Sequence, residues 1–354
     1  MSDLLRLHET LERIVPVDQE TIAAAEQELD RKTKPRRSLG ELERLAAQYA
    51  GIRGEVAPEP PVFAVVVAAA DHGYAEDGVS AYPAEVTAQM VRTFSAGGAA
   101  ISVLAREAGA RLVVADAGVR EPVDGAGVRD LRIGAGTANA AHGPAMTREQ
   151  ALRAIAAGID LGRGLADDGV TAVALGDMGI GNTTSAAALH ARLLGVDPAR
   201  VCGPGTGLDP DGVRRKVSVV ESALAANPRR SDDPVEALAA LGGFEIAVLA
   251  GAILGAASTR LAVVLDGFIV GAAALVAARL APASKGYLIA GHLSPEPGHR
   301  LALVELGLEP LLALELRLGE ATGAALALPL LRSAVAILSE MATFETAGVT
   351  DAGR

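Results

Sequence analysis

The fold is decided by the stretch Leu175-Gly176-Asp177-Met178-Gly179-Ile180-Gly181-Asn182-Thr183-Thr184-Ser185-Ala186-Ala187. An apolar run over residues 170–175 leads into it, and a small-residue segment over 185–194 follows it. This pattern predicts a strand, a glycine-rich turn and a helix. The side chain of Asn182, Thr183 or Thr184 can cap that helix. Unshielded backbone N–H groups at a helix N-terminus favour a phosphate or a carboxylate, so the turn indicates a site for a phosphorylated small molecule.

The same turn also fits a tight strand-to-helix crossover without a ligand, and that alternative stays open at this point. The stretch is not a Walker loop, because no Gly-Lys-Ser/Thr sequence follows it. Its glycine spacing also differs from that of the dinucleotide-binding fingerprint.

Four further apolar runs resemble the run at 170–175, and a polar residue follows each of the five. The runs and the polar residues after them are 61–70 with Asp71, 111–115 with Asp116, 170–175 with Asp177, 261–265 with Asp266 and 286–290 with His292. Helical patterns occur at 83–106, 147–168, 184–194, 234–254 and 267–280, and from 297 to 341. This alternation predicts a parallel α/β sheet, whose ligand lies outside the carboxyl ends of the strands.

Composition limits the class of protein. The 354 residues suffice for one large domain with an appendage or for two domains. Half of the residues are hydrophobic but only 3% are aromatic, so the core must consist of Ala, Val, Leu and Ile. A net charge of -11 and the small number of aromatic residues argue against nucleic-acid binding. The single cysteine, Cys202, excludes an internal disulfide and a cysteine-based zinc site, and fits a reducing cytoplasm.

Membrane association is not expected. The first ten residues are charged and lack the apolar core of a signal peptide. The most apolar long stretch, 246–280, is interrupted by Arg260, Asp266 and Arg279, and it divides into helix, strand and helix. Residues 1–55 are polar and helix-forming, with Ser38 as a possible cap, and a proline-rich joint at 55–61 follows.

A second small-residue loop, 203–209, precedes the basic cluster Arg214-Arg215-Lys216. The cluster fits a solvated helix face as well as it fits a cation that folds back onto the phosphate held at Gly179–Gly181. His72 and His292 lie at strand ends, where a structural hydrogen bond is the more common role than proton transfer. No two histidines have ligand spacing, so no catalytic metal is expected.

Glu320 stands where an irregular segment meets a long apolar helix. One interpretation is a first-turn glutamate that the helix dipole favours, which lowers its pKa. The other is a carboxylate in an apolar pocket, whose pKa burial raises to suit a general base. The residues alone favour the first interpretation.

Taken together, the motifs resemble the nicotinate-nucleotide:dimethylbenzimidazole phosphoribosyltransferase family over nearly the whole chain. The matching segments, in order, are 70–73, 78–83, 85–91, 97–101, 143–147, 176–185, 203–207, 242–247, 265–268, 292–300, 318–330 and 340–344. No single motif is unique to the family, but the ordered set is highly specific.

The resemblance implies a Rossmann-like, mostly parallel sheet flanked by helices, at 61–296. It also implies a small helical domain made of 1–60 with 297–354, a homodimer, and no cofactor. The implied reaction moves 5-phosphoribose from nicotinate mononucleotide to 5,6-dimethylbenzimidazole. Its products are α-ribazole 5′-phosphate and nicotinate, with inversion at the anomeric carbon.

The resemblance also assigns site residues. Glu320 matches the base that takes the acceptor's N–H proton, and Ser80 and Gln89 match residues of the acceptor pocket. Lys216 and the turn Gly179–Gly181 match the phosphate site. The remaining substrate-binding positions implied are Asp177, Ile180, Asn182, Thr183, Gly203, Gly205 and Thr206. No metal is implied, because no pyrophosphate leaves.

The chain departs from the family in two places. Many members have Lys-Pro-Pro-Gly-Ser-Leu-Gly where this chain has Lys34-Pro35-Arg36-Arg37-Ser38-Leu39-Gly40, and some have Glu at the position of Asp177. A shorter carboxylate there can shift a ribose contact. Two alternatives stay open: a transferase for another base, such as adenine, another benzimidazole or a phenolic, and a non-catalytic nucleotide sensor.

Overall fold

The computed structural model describes residues 2–123 and 127–350. Its sheet consists of β1 Phe63–Ala70, β2 Arg111–Gly118, β3 Val128–Asp130, β4 Ala172–Met178, β5 Ala262–Leu265 and β6 Leu288–Ala290. All pairs are parallel and the order is β3-β2-β1-β4-β5-β6. The strand order reverses between β1 and β4, and ligands of such sheets bind in the crevice at that point. The predicted parallel α/β fold is confirmed.

Helices cover both faces of this sheet, and they also form the N-terminal and C-terminal segments of the chain. They are α1 Asp3–Arg13, α2 Gln19–Arg31, α3 Glu41–Arg53, α4 Val86–Ser95, α5 Ala100–Glu107, α6 Arg148–Asp167, α7 Asn182–Leu194, α8 Pro210–Ala226, α9 Pro234–Leu241, α10 Phe244–Ala257, α11 Phe268–Leu280, α12 Pro297–Leu306, α13 Thr322–Glu340 and α14 Phe344–Ala347.

Several predicted helices are shorter than expected. The helix predicted at 83–106 is two helices, because the chain turns at Gly97, where φ is 78°. The helix predicted at 234–254 is broken at residues 242–243 into α9 and α10, and 307–321 is irregular rather than helical. Strand β3 was not predicted, and α8 was anticipated only as the solvated helix face that was one interpretation of Arg214–Lys216. Ser38 is not the expected cap, since Gly40 occupies the N-cap position of α3.

Small residues bring the central helices close together. α6 packs along α10, every residue of which is buried. A Cβ on Gly158 would lie 1.9 Å from the carbonyl oxygen of Val248, and a Cβ on Gly251 would lie 2.0 Å from that of Ile155. The two backbones therefore approach to a distance that only glycine allows.

Helices from the N-terminal and C-terminal segments of the chain pack against each other. α3 packs against both α2 and α13, while α1 packs on α6. Lys32 pairs with Thr343 in a short antiparallel bridge, and Tyr49 donates a 2.9 Å hydrogen bond to Thr171, which directly precedes β4. α12 packs on α7 and α11 instead.

The apolar stretch at 246–280 divides into α10, β5 and α11, as predicted. Among the described residues, one helix, α13, is long and apolar enough to cross a bilayer. It packs against α3, α5 and the strands β4 and β5. Core helices of globular folds also meet this length and composition test, so the finding is weak evidence for a membrane span.

Candidate active site

The turn between β4 and α7 is an open anion cradle. α7 begins at Asn182 with Gly181 as its N-cap, in the left-handed conformation (φ 94°). The predicted side-chain cap is wrong, because Asn182 turns its amide to Asp177 Oδ2 at 2.8 Å. Within residues 2–123 and 127–350, no acceptor pairs with the N–H of Gly181 or of Thr183. These free donors at a helix N-terminus suit an anion.

Two buried side chains hold the cradle in place. Thr87 of α4 accepts the Ile180 N–H at 3.1 Å, so this amide is already paired. His72 lies directly below Gly179, where an added Cβ would come within 3.3 Å of the ring. The ring is fully buried, with Nε2 2.7 Å from Glu245 Oε1. His72 therefore has the structural role that the sequence favours.

Lys216 is the cation that folds back. Its side chain is 1% exposed, and Nζ donates to Thr183 Oγ1 at 3.1 Å and to the Gly203 carbonyl at 3.0 Å. The neighbouring Arg214 is exposed and pairs with Asp211. Of the two interpretations of this cluster, the structure supports the inward-turned lysine. Nζ lies between the two glycine loops, where a phosphate oxygen can accept from it.

The second glycine loop is tied to a buried carboxylate that the sequence did not reveal. Glu296 Oε1 accepts the Gly205 N–H at 2.7 Å. Burial raises the pKa of Glu296 and the charge of Lys216 opposes the rise. Burial lowers the pKa of Lys216, and Glu296 opposes that change in turn. Glu296 and Lys216 therefore stabilise each other's charged forms beside the cradle.

Glu320 lies before α13 rather than in its first turn, so the first-turn interpretation is wrong. Glu320 and Ala321 both have left-handed backbones, with φ of 62° and 68°. Two contacts with β4 hold them. The Glu320 N–H donates to the Asp177 carbonyl at 3.2 Å, and Gly176 leaves room for Ala321, whose nitrogen would lie 2.0 Å from a Cβ there. Consecutive strained residues of this kind concentrate at functional sites.

The Glu320 side chain is buried and is suited to accept a proton. It is 4% exposed, and Oε2 has no hydrogen-bond partner among the described residues. Burial, followed by the charge of Asp266, raises the pKa of Glu320 to about 7. Burial raises the pKa of Asp177 as well, with contributions from the charges of Asp266, Glu245 and Glu320. A carboxylate with a pKa near neutrality is matched to general-base catalysis.

A cleft joins the cradle to the segment that carries Glu320. Its lining residues are Asp177, Met178, Gly179, Ile180, Asn182, Thr183, Gly205, Thr206, Asp266, Gly267, Phe268, Ile269, His292, Ser294, Glu296 and 316–319. A smaller pocket beside it brings Ser80 together with the cradle and Lys216. Gln89, in contrast, is exposed on α4 and lines neither space.

The site residues that sequence analysis missed are Thr87, Glu245 and Glu296. Each lies in a segment that matches the family, at 85–91, 242–247 and 292–300, but no local pattern marks its partner. Asp266 and His292 were marked as polar strand ends, and both line the cleft.

Other features of the surface do not compete with this cleft. A cavity of about 770 Å³ opens beside the N-terminus of α6, but it contains none of the predicted site residues. Its arginines are largely paired, for example Arg148 with Asp233 at 2.7 Å. No group of three or more His, Cys, Asp or Glu residues that could hold a metal occurs in the described part of the chain.

Known proteins resemble this chain over almost its whole length. A family model described as phosphoribosyltransferase matches residues 14–349. The nicotinate-nucleotide–dimethylbenzimidazole phosphoribosyltransferase of Desulforudis audaxviator is 50% identical over 347 residues, 98% of each chain. The protein of that name from Geobacter sulfurreducens is 49% identical over 346 residues, again 98% of each.

A solved structure gives the same result. The crystal structure of the nicotinate-nucleotide–dimethylbenzimidazole phosphoribosyltransferase from Thermus thermophilus matches with a TM-score of 0.90 and 50% identity. The match covers 94% of this chain and 99% of that one. The family resemblance expected from the sequence is confirmed.

Proposed function

The chain belongs to the nicotinate-nucleotide–dimethylbenzimidazole phosphoribosyltransferase family, and we propose that it transfers 5-phosphoribose from nicotinate mononucleotide to 5,6-dimethylbenzimidazole. The observation that carries the proposal is the single cleft that runs from an anion cradle to the segment of a proton-accepting carboxylate. The anion cradle suits the phosphate of a nucleotide, and the Glu320 carboxylate suits the N–H proton of the acceptor.

The cradle and Lys216 hold the 5′-phosphate. Among residues 2–123 and 127–350 the N–H groups of Gly181 and Thr183 have no acceptor, so they are available to the phosphate at the start of α7, and Lys216 adds a charge-assisted hydrogen bond. Anchoring the phosphate places the ribose across the carboxyl ends of β4 and β5. Gly203, Gly205 and Thr206 border the same space.

The transfer breaks the bond from C1′ to the pyridinium nitrogen and forms a bond from C1′ to a benzimidazole nitrogen. The pyridinium is already cationic, so nicotinate leaves with the bonding electron pair and needs no proton. The acceptor must lose its N–H proton, which Glu320 takes. Attack from the face opposite to nicotinate inverts the β anomer to the α anomer. Ser80 and Gln89 are proposed to contact the acceptor.

The remaining parts of the proposal concern the whole molecule. The enzyme needs neither a metal nor another cofactor, is a cytoplasmic homodimer, and binds neither nucleic acid nor membrane. It divides into a helical domain of residues 1–60 with 297–354 and a large domain of residues 61–296.

The test is incubation of the purified protein with nicotinate mononucleotide and a set of acceptors, followed by chromatography. When 5,6-dimethylbenzimidazole is the acceptor, we expect nicotinate and α-ribazole 5′-phosphate as products. Competition with adenine, other benzimidazoles and phenolics measures acceptor preference. If one of these gives more product than 5,6-dimethylbenzimidazole, that base is the preferred acceptor. Tight nucleotide binding without turnover of any acceptor would instead support a non-catalytic sensor.

A further inference from the structure

Asp266 follows β5 and reaches across to the start of α13. Its Oδ1 accepts the N–H of Gly323 at 2.7 Å and the N–H of Ala324 at 3.1 Å, and the residue is 1% exposed. Among the described residues, the N-cap position of α13, Ala321, supplies no side-chain cap. Asp266 therefore pairs two of the four N–H groups that every helix leaves open at its start.

This contact lies just beyond Glu320. The backbone at Glu320 and Ala321 is left-handed, a conformation that is unfavourable for residues other than glycine. The conformation must be held from outside. Asp177 holds it on one side through the Glu320 N–H, and Asp266 holds it on the other through the first turn of α13.

His292 fixes the Asp266 carboxylate and the helix together. Its Nε2 lies 3.4 Å from Asp266 Oδ1. Its ring packs on Gly323, where an added Cβ would lie 1.9 Å from Cδ2. The ends of three neighbouring strands thus meet at the segment that carries Glu320.

We propose that Asp266 is a positioning residue: it holds the start of α13, and with it the backbone of Glu320, and it sets a negative charge beside the Glu320 carboxylate. The proposal rests on the role of Glu320 as base, proposed above. Asp266 does not itself take the proton.

Charged or titratable side chains from four segments line the cleft beside the segment that carries Glu320. Asp177 lies near the end of β4, Asp266 follows β5, His292 follows β6, and Arg317 lies in the irregular segment before Glu320. Of these, the Asp266 charge is a cause of the raised pKa of Glu320, second to burial. Removing that charge therefore lowers the pH at which Glu320 becomes a base.

Two variants separate the charge from the hydrogen bonds. Asp266→Asn keeps an oxygen that can accept from Gly323 and Ala324 but removes the charge, whereas Asp266→Ala removes both. For Asp266→Asn we expect the acid limb of the kcat–pH profile to move down by roughly one pH unit, with both KM values within about twofold of the wild type. For Asp266→Ala we expect a further fall in kcat of about 10- to 100-fold, because the base is misplaced.

Asp116→Asn is the matched control. Asp116 is also a buried aspartate of a central strand, and its Oδ1 accepts two backbone N–H groups, those of Gly118 and Val119. It is absent from the lining of the cleft. Its amide variant should leave the acid limb where it is in the wild type.

The outcomes distinguish this proposal from the one on which it rests. An inactive Glu320→Gln variant together with an unmoved acid limb in Asp266→Asn overturns the role of Asp266 alone. If the Glu320→Gln variant keeps near wild-type turnover, Glu320 is not the base, and both proposals are wrong. If Asp266→Ala does not fold, the profile of Asp266→Asn still decides, because that variant keeps the shape of the side chain.

Discussion

Replacement of Glu320 by glutamine should lower activity and raise stability at the same time. The change keeps the size of the side chain and removes its basicity. A positioned acid–base group contributes about 10²–10⁴-fold to a rate, so kcat should fall by that factor. KM for the acceptor should change little, because the apolar and hydrogen-bonding surface of the pocket remains.

The higher stability of the variant follows from the burial of the Glu320 carboxylate, which makes its charged form unfavourable in the folded protein. Its pKa rises from 4.5 to about 7, and at about 1.36 kcal/mol per unit of pKa this amounts to about 3 kcal/mol. Because the native state binds this proton more tightly than the unfolded state does, the stabilisation is complete below about pH 4.5. It is lost as the pH rises through about 7.

The assay compares thermal or urea unfolding of both proteins from pH 4 to pH 9. Glutamine does not titrate, so the free energy of unfolding of the variant should equal that of the wild type near pH 4. Above pH 8 it should be higher than that of the wild type by up to about 3 kcal/mol. Wild-type kcat should fall as the pH is lowered through about 7, because the Glu320 carboxylate becomes protonated. Turnover of Glu320→Gln within about fivefold of the wild type would refute general-base catalysis by this residue, and a pH-independent stability difference would refute its raised pKa.

Three further predictions concern the phosphate site, metals and the N-terminal turn. Lys216→Ala should raise KM for nicotinate mononucleotide by about 10- to 100-fold, as expected for a hydrogen bond to a charged group worth roughly 1.5–3 kcal/mol, whereas the exposed Arg214→Ala should not; steady-state kinetics that leave KM unchanged would place Lys216 outside the site. EDTA should leave turnover unchanged, and a loss of activity that Mg²⁺ restores contradicts this prediction. Arg37 has a φ of 57°, in the left-handed region that favours glycine, so Arg37→Gly should stabilise the fold by up to about 1 kcal/mol in urea unfolding, while Arg36→Gly serves as a control that should not.

The sheet and the location of the site could be predicted from the sequence because both follow from a rule of topology. Parallel strands deliver their carboxyl ends to one edge, so a polar residue after each strand predicts a cluster there. Asp177, Asp266 and His292 do line one cleft, whereas Asp71 and Asp116 do not.

The contacts within the site could not be predicted in this way. Thr87 pairs with Ile180, and Glu296 with Gly205, across 93 and 91 positions of the chain. Periodicity describes a single element and carries no information on such pairs. For the same reason a helical pattern could not place Glu320, whose left-handed backbone depends on contacts with β4.

The meeting of α3 with α13 has a consequence for how the protein is made. α3 ends at Arg53 and α13 begins only at Thr322, so α3 is made long before the helix that packs against it. The six strands and the turn between β4 and α7 also precede α13 in the chain. Apolar surface left uncovered during synthesis is prone to misassembly, so the face of α3 that α13 covers is exposed to that risk until α13 has been made.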